Sequence, residues 1–231
     1  MFRKRRWLLN LLTLCSFLLI ALIALVVLLK QEPRIYKDTV MPAGFLRETR
    51  SREMMQLMND AGNYIRNEPR WYVSFANEQM NSFLQGDDFD TYLGGDSRLP
   101  DGFTDPRIFV ENNRLRLAIR YGKGVFSTIL SLDLRLWIIP SEINRIGMEV
   151  ISLKAGAVPL SPAMVLDYIS EAVRKNNIEI TWYRDKNHPV AVMRLQSENN
   201  FPTFQLDRLE LNDGNLTIGG RKINFVEVQP E

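Results

Sequence analysis

RLRLAIRY, at residues 114–121, and VFSTILSLDLRLWI, at residues 125–138, decide the fold of this chain. In both stretches apolar and polar residues alternate with a period of two, so one face of each strand is apolar and the other is polar. The glycine-rich run 122–124 between them predicts a turn. Together they predict long antiparallel strands with one buried face and one face in water.

The same pattern extends outward in both directions. Further strands are predicted at residues 71–75, 107–111, 145–153, 178–183, 189–195, 204–211 and 216–219, with a closing segment at 222–228. Asn112 and Asn113 predict a tight turn, because asparagine tolerates positive φ. The fold therefore centres on an antiparallel sheet of long strands.

Three amphipathic helices are predicted around these strands. The first, from Arg47 to Ile65, has an apolar stripe that includes Met54 and Met58, and this stripe either packs on the domain or forms an adaptable binding surface. A short helix carries Met80, Phe83 and Leu84. A third begins at Ser161-Pro162, a cap followed by a first-turn proline, and runs to about Asn176. We therefore expect an α+β fold, in which a long-stranded, curled antiparallel sheet packs on two to three helices.

The N-terminal stretch Leu8–Leu29 predicts a transmembrane helix. It has 22 residues without a charge, enough to cross the roughly 30 Å hydrocarbon layer of a bilayer. Four basic residues precede it and one, Lys30, follows, which favours an N-terminus inside the cell. A cleaved signal peptide and a lipoprotein using Cys15 are the alternatives. Both are disfavoured, because the apolar run lacks a small-residue cleavage site and Leu14 precedes the cysteine.

We therefore expect a single-pass protein of the cytoplasmic (inner) membrane in three parts. Residues 1–30 form a basic tip and an uncleaved signal-anchor, 31–46 a tether, and 47–231 a single exported α+β domain on the extracytoplasmic side. The residues after 30 have 24 basic against 27 acidic side chains, a net charge of −3, which argues against a nucleic-acid partner. The only cysteine, Cys15, lies in the anchor, so no disulfide is expected in the domain.

The sequence offers little catalytic chemistry. The single histidine, His188, is predicted in a solvated turn, and there is no G-x-S-x-G nucleophile elbow. The acidic run from Asp87 to Asp96 fails the calcium-loop pattern, because Leu93 and Leu99 stand where glycine and glutamate are required. We expect no enzyme activity, no metal and no cofactor. A pair of facing carboxylates stays open as an enzymatic alternative, since sequence cannot show their separation.

Three segments resemble a known group of proteins: WYVSFANEQMNSFL at 71–84, DPRIFVENNRLRL at 105–117 and GAVPL at 156–160. They are similar to the opening strand and Asn-x-x-Leu helix, the next hairpin, and the Gly-x-x-Pro-Leu turn of small membrane-anchored bacterial proteins of the YpmS and LmeA type. The resemblance implies a curled sheet around a helix, related to tubular lipid-binding domains. It also implies phospholipid binding outside the cytoplasmic membrane, and it supplies no catalytic residues.

The leading functional hypothesis is a non-enzymatic domain that binds a lipid or other apolar ligand in a groove between sheet and helix. The residues expected to line it are Leu130, Leu132, Leu134 and Leu136 on the long strand, with Val165, Tyr168, Ile169 and Val173 on the helix. The same residues would also fill a solid core, and periodicity cannot separate the two. The alternative is a scaffold subunit without a ligand, which would bind an envelope protein through a strand edge or the Met-rich helix.

Overall fold

A computed structural model describes residues 2–86, 89, 99, 101–163, 166–167, 169–171, 179–185, 188–195 and 203–223. The helices are α1 (Phe2–Lys30), α2 (Arg34–Asp38), α3 (Phe45–Asn67) and α4 (Asn77–Leu84). The strands are β1 (Arg70–Ala76), β2 (Phe103–Glu111), β3 (Arg114–Tyr121), β4 (Thr128–Ile138), β5 (Arg145–Ala155), β6 (Val158–Leu160), β7 (Glu179–Asp185), β8 (His188–Arg194), β9 (Phe204–Asn212) and β10 (Asn215–Lys222). The predicted α+β class with an apolar N-terminal helix and a large antiparallel sheet is confirmed.

The strands form two antiparallel sheets. A seven-stranded sheet has the order β2-β3-β4-β5-β8-β7, with β6 folded back on β5, and a three-stranded sheet has the order β1-β10-β9. The sequence pattern predicted the strands but not this division. Since β1 pairs with β10, with Trp71 opposite Gly220, the first and last described strands of the domain lie side by side.

Local sequence explains the turns of the large sheet. Asn112 and Asn113 adopt φ values of 52° and 58°, which confirms the predicted turn between β2 and β3. The strand predicted from Val125 begins three residues later, at Thr128, because Gly124–Phe126 forms a single 3-10 turn. This turn leaves Val125 and Phe126 outside the sheet.

The hydrophobic core lies between the two sheets and under two helices. Its buried members among the described residues come from eight elements: Val73, Phe75, Met80, Val110, Leu115, Leu134, Met148, Val150, Ala191 and Leu211. The apolar stripe of α3, including Met54 and Met58, packs against this cluster. The packed-helix interpretation of that stripe is therefore confirmed.

Helix α4 covers the outer edge of β2. The side-chain amide of Asn81 accepts a hydrogen bond from the backbone N–H of Ile108 (3.0 Å) and donates one to its carbonyl (2.6 Å). One turn earlier, Asn77 accepts from the N–H of Val110 at 2.9 Å. Two side chains at i and i+4 of a helix thus take the place of a neighbouring strand.

The segment expected to be a tether is folded onto the domain. It contains α2, and the Tyr36 side chain in that helix is only 1% exposed. Tyr36 packs in a small cluster with Ala118 of β3 and Ile129 of β4. The chain is therefore held against the large sheet within six residues of the end of α1.

Candidate ligand site at the end of the N-terminal helix

Helix α1 is the one helix among the described residues that is long and apolar enough to cross a membrane. The uncharged stretch Leu8–Leu29 lies within it, and from Asn10 to Leu28 its side chains are exposed rather than packed against the domain. This finding agrees with a single-pass anchor.

The domain holds the last turn of α1 through hydrogen bonds. The backbone N–H of Ala157 donates to the carbonyl of Leu28 (2.9 Å), and the Thr128 hydroxyl donates to the carbonyl of Leu29 (2.6 Å). The last carbonyls of a helix have no partner within the helix, so the domain satisfies two of them.

Gly156 makes this close approach possible. Its φ is +58°, and a Cβ atom at this position would stand 2.4 Å from the carbonyl oxygen of Leu28. Any side chain would therefore collide with the end of α1. The turn between β5 and β6 is therefore shaped to receive the end of α1.

A cavity of about 490 Å³ opens beside this junction. It lies between the segment that follows α1 and the polar face of β3, β4 and β5. Its lining is Gln31, Glu32, Pro33, Arg34, Ile35, Arg116, Leu117, Ser131, Leu132, Asp133, Ser152, Lys154, Gly156 and Ala157. Its volume falls in the usual range of small-molecule sites, and its lining combines apolar with charged groups.

Charge pairing leaves the cavity with two free cations among the described residues. Glu32 pairs with Arg120 at 3.0 Å, and Asp133 lies 3.2 Å from Arg114 and 3.8 Å from Arg116.

Arg34 and Lys154 are exposed and make no ion pair within the described part of the chain. The cavity is therefore suited to a ligand that joins an anionic group to an apolar one.

A buried polar cluster fixes α2 along one side of the cavity. The Tyr36 hydroxyl donates to Asp105 Oδ2 (2.6 Å), and Arg107 Nη2 donates to the same oxygen (2.7 Å). Burial, together with the bond to Asp105, raises the pKa of Tyr36 to about 12. Burial alone would raise the pKa of Asp105, but the bonds from Arg107 and Tyr36 outweigh it, so this pKa lies below its usual value.

Three of the four strand leucines predicted to line a groove belong to the core or pack against it. Leu134 is 4% exposed and belongs to the buried cluster, while Leu132, Leu136 and Ile169 pack against that cluster. Leu130 is half-buried, and Leu132 also contributes to the lining of the cavity. The structure thus brings Leu132, Leu134, Leu136 and Ile169 to the same core cluster. Val165, Tyr168 and Val173 lie outside the residues whose side chains are described, and the ligand-binding role of the set stays a prediction.

Sequence reasoning missed the residues that shape the cavity. Arg34 sat in the expected tether, and Lys154 was one polar residue of an alternating strand. Of the cavity lining, sequence analysis singled out the GAVPL turn at 156–160, which resembles a turn of the YpmS and LmeA type, and Leu132, which it predicted to line the leucine groove. No periodic signal could have joined Arg34 to Lys154, since they meet only because the end of α1 docks on the sheet.

The remaining polar candidates are His188 and the acidic run 87–96. The His188 side chain is 42% exposed, as predicted, but His188 is the first residue of β8 rather than a turn residue, and its Nδ1 lies 2.8 Å from Glu149 Oε1. The acidic run 87–96 lies outside the described residues apart from Phe89. Comparison with protein-family models, curated proteins and solved structures found no match for this chain. The cavity is therefore the feature of this chain that points most directly to a function.

Proposed function

We propose that the protein is a non-enzymatic, membrane-anchored domain that binds a phospholipid at the surface of its own membrane. The observation that carries the proposal is the position of the cavity, which opens beside the last turn of the membrane helix. A ligand there lies at the level of the lipid headgroups. The basic residues before the anchor favour an N-terminus inside, with the domain on the extracytoplasmic side of the cytoplasmic membrane of a bacterium.

The lining supports a phospholipid as the ligand class. Arg34 and Lys154 are unpaired cations among the described residues, and arginine and lysine are the side chains that bind phosphate. Ile35 and Leu132 supply apolar contact for the glycerol and the first part of an acyl chain. In this arrangement the rest of the acyl chains stays in the bilayer. The binding therefore needs no deep channel.

The leucine groove is a second placement for the same ligand class. It requires the large sheet to curl around the helix predicted at 161–176, as the resemblance to the YpmS and LmeA type implies. An acyl chain would then lie along the face of Leu130 and Leu136. Since Leu130 and Leu136 do not line the cavity, and Arg34 and Lys154 do, variants can separate the two placements.

Native mass spectrometry of the full-length protein, released from bacterial lipid into mild detergent, tests the proposal. We expect one phospholipid mass on the wild-type protein, and a loss of about tenfold in apparent affinity for Arg34→Glu combined with Lys154→Glu, equivalent to about 1.4 kcal/mol. The matched control is Arg184→Glu with Arg194→Glu, two exposed cations of β7 and β8 away from the cavity.

The outcomes separate the alternatives. Equal lipid occupancy in the Arg34→Glu, Lys154→Glu variant, the control variant and the wild type would rule out the cavity as the site of the lipid headgroup. That result would favour the leucine groove. A clean apo mass from a cooperatively folded wild-type protein would overturn lipid binding, and the scaffold hypothesis would take its place.

A further inference from the structure

The turn Gly124–Phe126 presents two apolar side chains to solvent. Phe126 is 89% exposed and Val125 is 76% exposed. No other large apolar side chain in the described part of the chain is as exposed as Phe126. Tyr121, at the end of β3, is also partly exposed, and its ring lies against that of Phe103 with centroids 4.9 Å apart.

This turn lies directly beside the end of the membrane helix. The ammonium group of Lys30 donates to the backbone carbonyls of Val125 and Ser127, the latter at 2.9 Å. Immediately after the turn, Thr128 bonds to the carbonyl of Leu29. The turn that carries Val125 and Phe126 therefore lies within the length of one lysine side chain of the end of α1.

The charge pattern of α1 sets the depth of the turn in a membrane. Leu29 is the last residue of the uncharged run, and Lys30 is the first charge after it. A lysine at the end of a transmembrane helix reaches the interface between acyl chains and headgroups. The groups that bind Lys30 must lie at the same interface.

We propose that Val125 and Phe126 insert into the leaflet from which α1 emerges, as a second contact between the domain and its membrane. Insertion removes both apolar side chains from water. Tyr121 and Lys123 flank the turn, and both residue types suit the interfacial layer, with an apolar stem and a polar end. We assign the partner of this turn as the lipid bilayer rather than another protein, because α1 emerges from the bilayer directly beside the turn. The inference goes beyond lipid binding in the cavity and does not depend on it.

Site-directed spin labelling of the full-length protein in vesicles of phosphatidylethanolamine and phosphatidylglycerol tests this contact. A Cys15→Ser background carries Phe126→Cys or Val125→Cys as the labelled site. The matched control is Tyr72→Cys on β1, where the native side chain is 68% exposed on the small sheet. The measured quantity is the collision rate of the spin label with two reagents. Oxygen concentrates in the bilayer, and a nickel complex stays in water.

We expect oxygen collisions to dominate at positions 125 and 126, and nickel collisions to dominate at position 72. Nickel accessibility at 125 and 126 equal to that at 72 would overturn the proposal. Protection from both reagents at 125 and 126 would also overturn it, because it indicates cover by protein rather than lipid. Spin-label accessibility reports the depth of the turn in the bilayer and not lipid bound in the cavity. Its outcome is therefore independent of whether the cavity binds a phospholipid.

Discussion

At the scale of single residues, one polar cluster ties the segment after the anchor to the sheet. The Arg107 side chain is 8% exposed, binds the carboxylate of Asp105, and stacks over the ring of Tyr36 with 3.7 Å between its Cζ and the ring centroid. Arg107 also donates to the backbone carbonyl of Tyr36. A buried charge pair is costly unless its hydrogen bonds are satisfied. Here the carboxylate accepts bonds from both partners, so the cluster holds α2 in place.

This cluster predicts a stability that falls at both ends of the pH range. The lowered pKa of Asp105 means that its contribution is present above the unfolded value of about 3.9 and is lost as pH falls through the folded pKa. The pKa of Tyr36 is raised from 10.0 to about 12, so its contribution is complete below pH 10 and is lost between those values.

Tyr36→Phe should remove the contribution of this residue to the alkaline limb and lower the free energy of unfolding at neutral pH by about 2 kcal/mol, because a hydrogen bond to the ionised carboxylate of Asp105 is lost. Urea unfolding of the detergent-solubilised protein across pH 6 to about 12 measures both effects. Tyr64→Phe, at an exposed site of α3, is the control. Identical alkaline limbs for Tyr36→Phe and the wild type would contradict the assignment.

At the scale of elements, sequence patterns predicted the strands, turns and helices that depend on residues close together in the chain. The strand at residues 114–121, the asparagine turn at 112–113 and the apolar stripe of α3 each depend on near neighbours, and each of these elements is confirmed. The water-exposed face predicted for that strand is not, because Ala118 on this face is 4% exposed and packs with Tyr36. Patterns could not show that β10 pairs with β1, because pairing partners are a property of the whole chain. They also could not show that α4 covers the edge of β2, because alternation does not reveal which strand lies at an edge.

Asn81→Ala should destabilise the contact between α4 and the edge of β2 by more than the small number of atoms removed would suggest. Asn81 is 2% exposed, and its loss leaves the N–H and carbonyl of Ile108 without their side-chain partners. Leaving a buried polar group unpaired costs roughly 1–3 kcal/mol, so we expect a fall of about 2–3 kcal/mol in the free energy of unfolding, measured by urea denaturation. Asn63→Ala, at an exposed position of α3, should change it by less than about 0.5 kcal/mol. Equal effects of the two variants would show that the edge contact contributes nothing.

At the scale of the whole molecule, the candidate site depends on how the anchor meets the domain. Sequence predicted α1 from its uncharged run, since the bilayer dictates composition over a whole span. It did not predict the docking, because Thr128, Gly156 and Ala157 show no pattern that marks them as partners of a helix more than 90 residues earlier. The cavity and the exposed turn at 124–126 both border this junction. A firm junction would therefore orient both toward the lipid.

Gly156→Ala tests whether the junction is firm. The new Cβ would stand 2.4 Å from the carbonyl of Leu28, so α1 must move and the N–H of Ala157 loses its acceptor. We expect the Ala157 amide to exchange its hydrogen roughly tenfold faster, as hydrogen-exchange mass spectrometry of the protein in lipid nanodiscs would measure. Gly124→Ala is the matched control, since its φ of +53° carries similar backbone strain and a Cβ there meets nothing within 4 Å. Unchanged exchange at Ala157 in the Gly156 variant would mean that α1 is only loosely attached, and the cavity and the turn would then have no fixed position relative to α1.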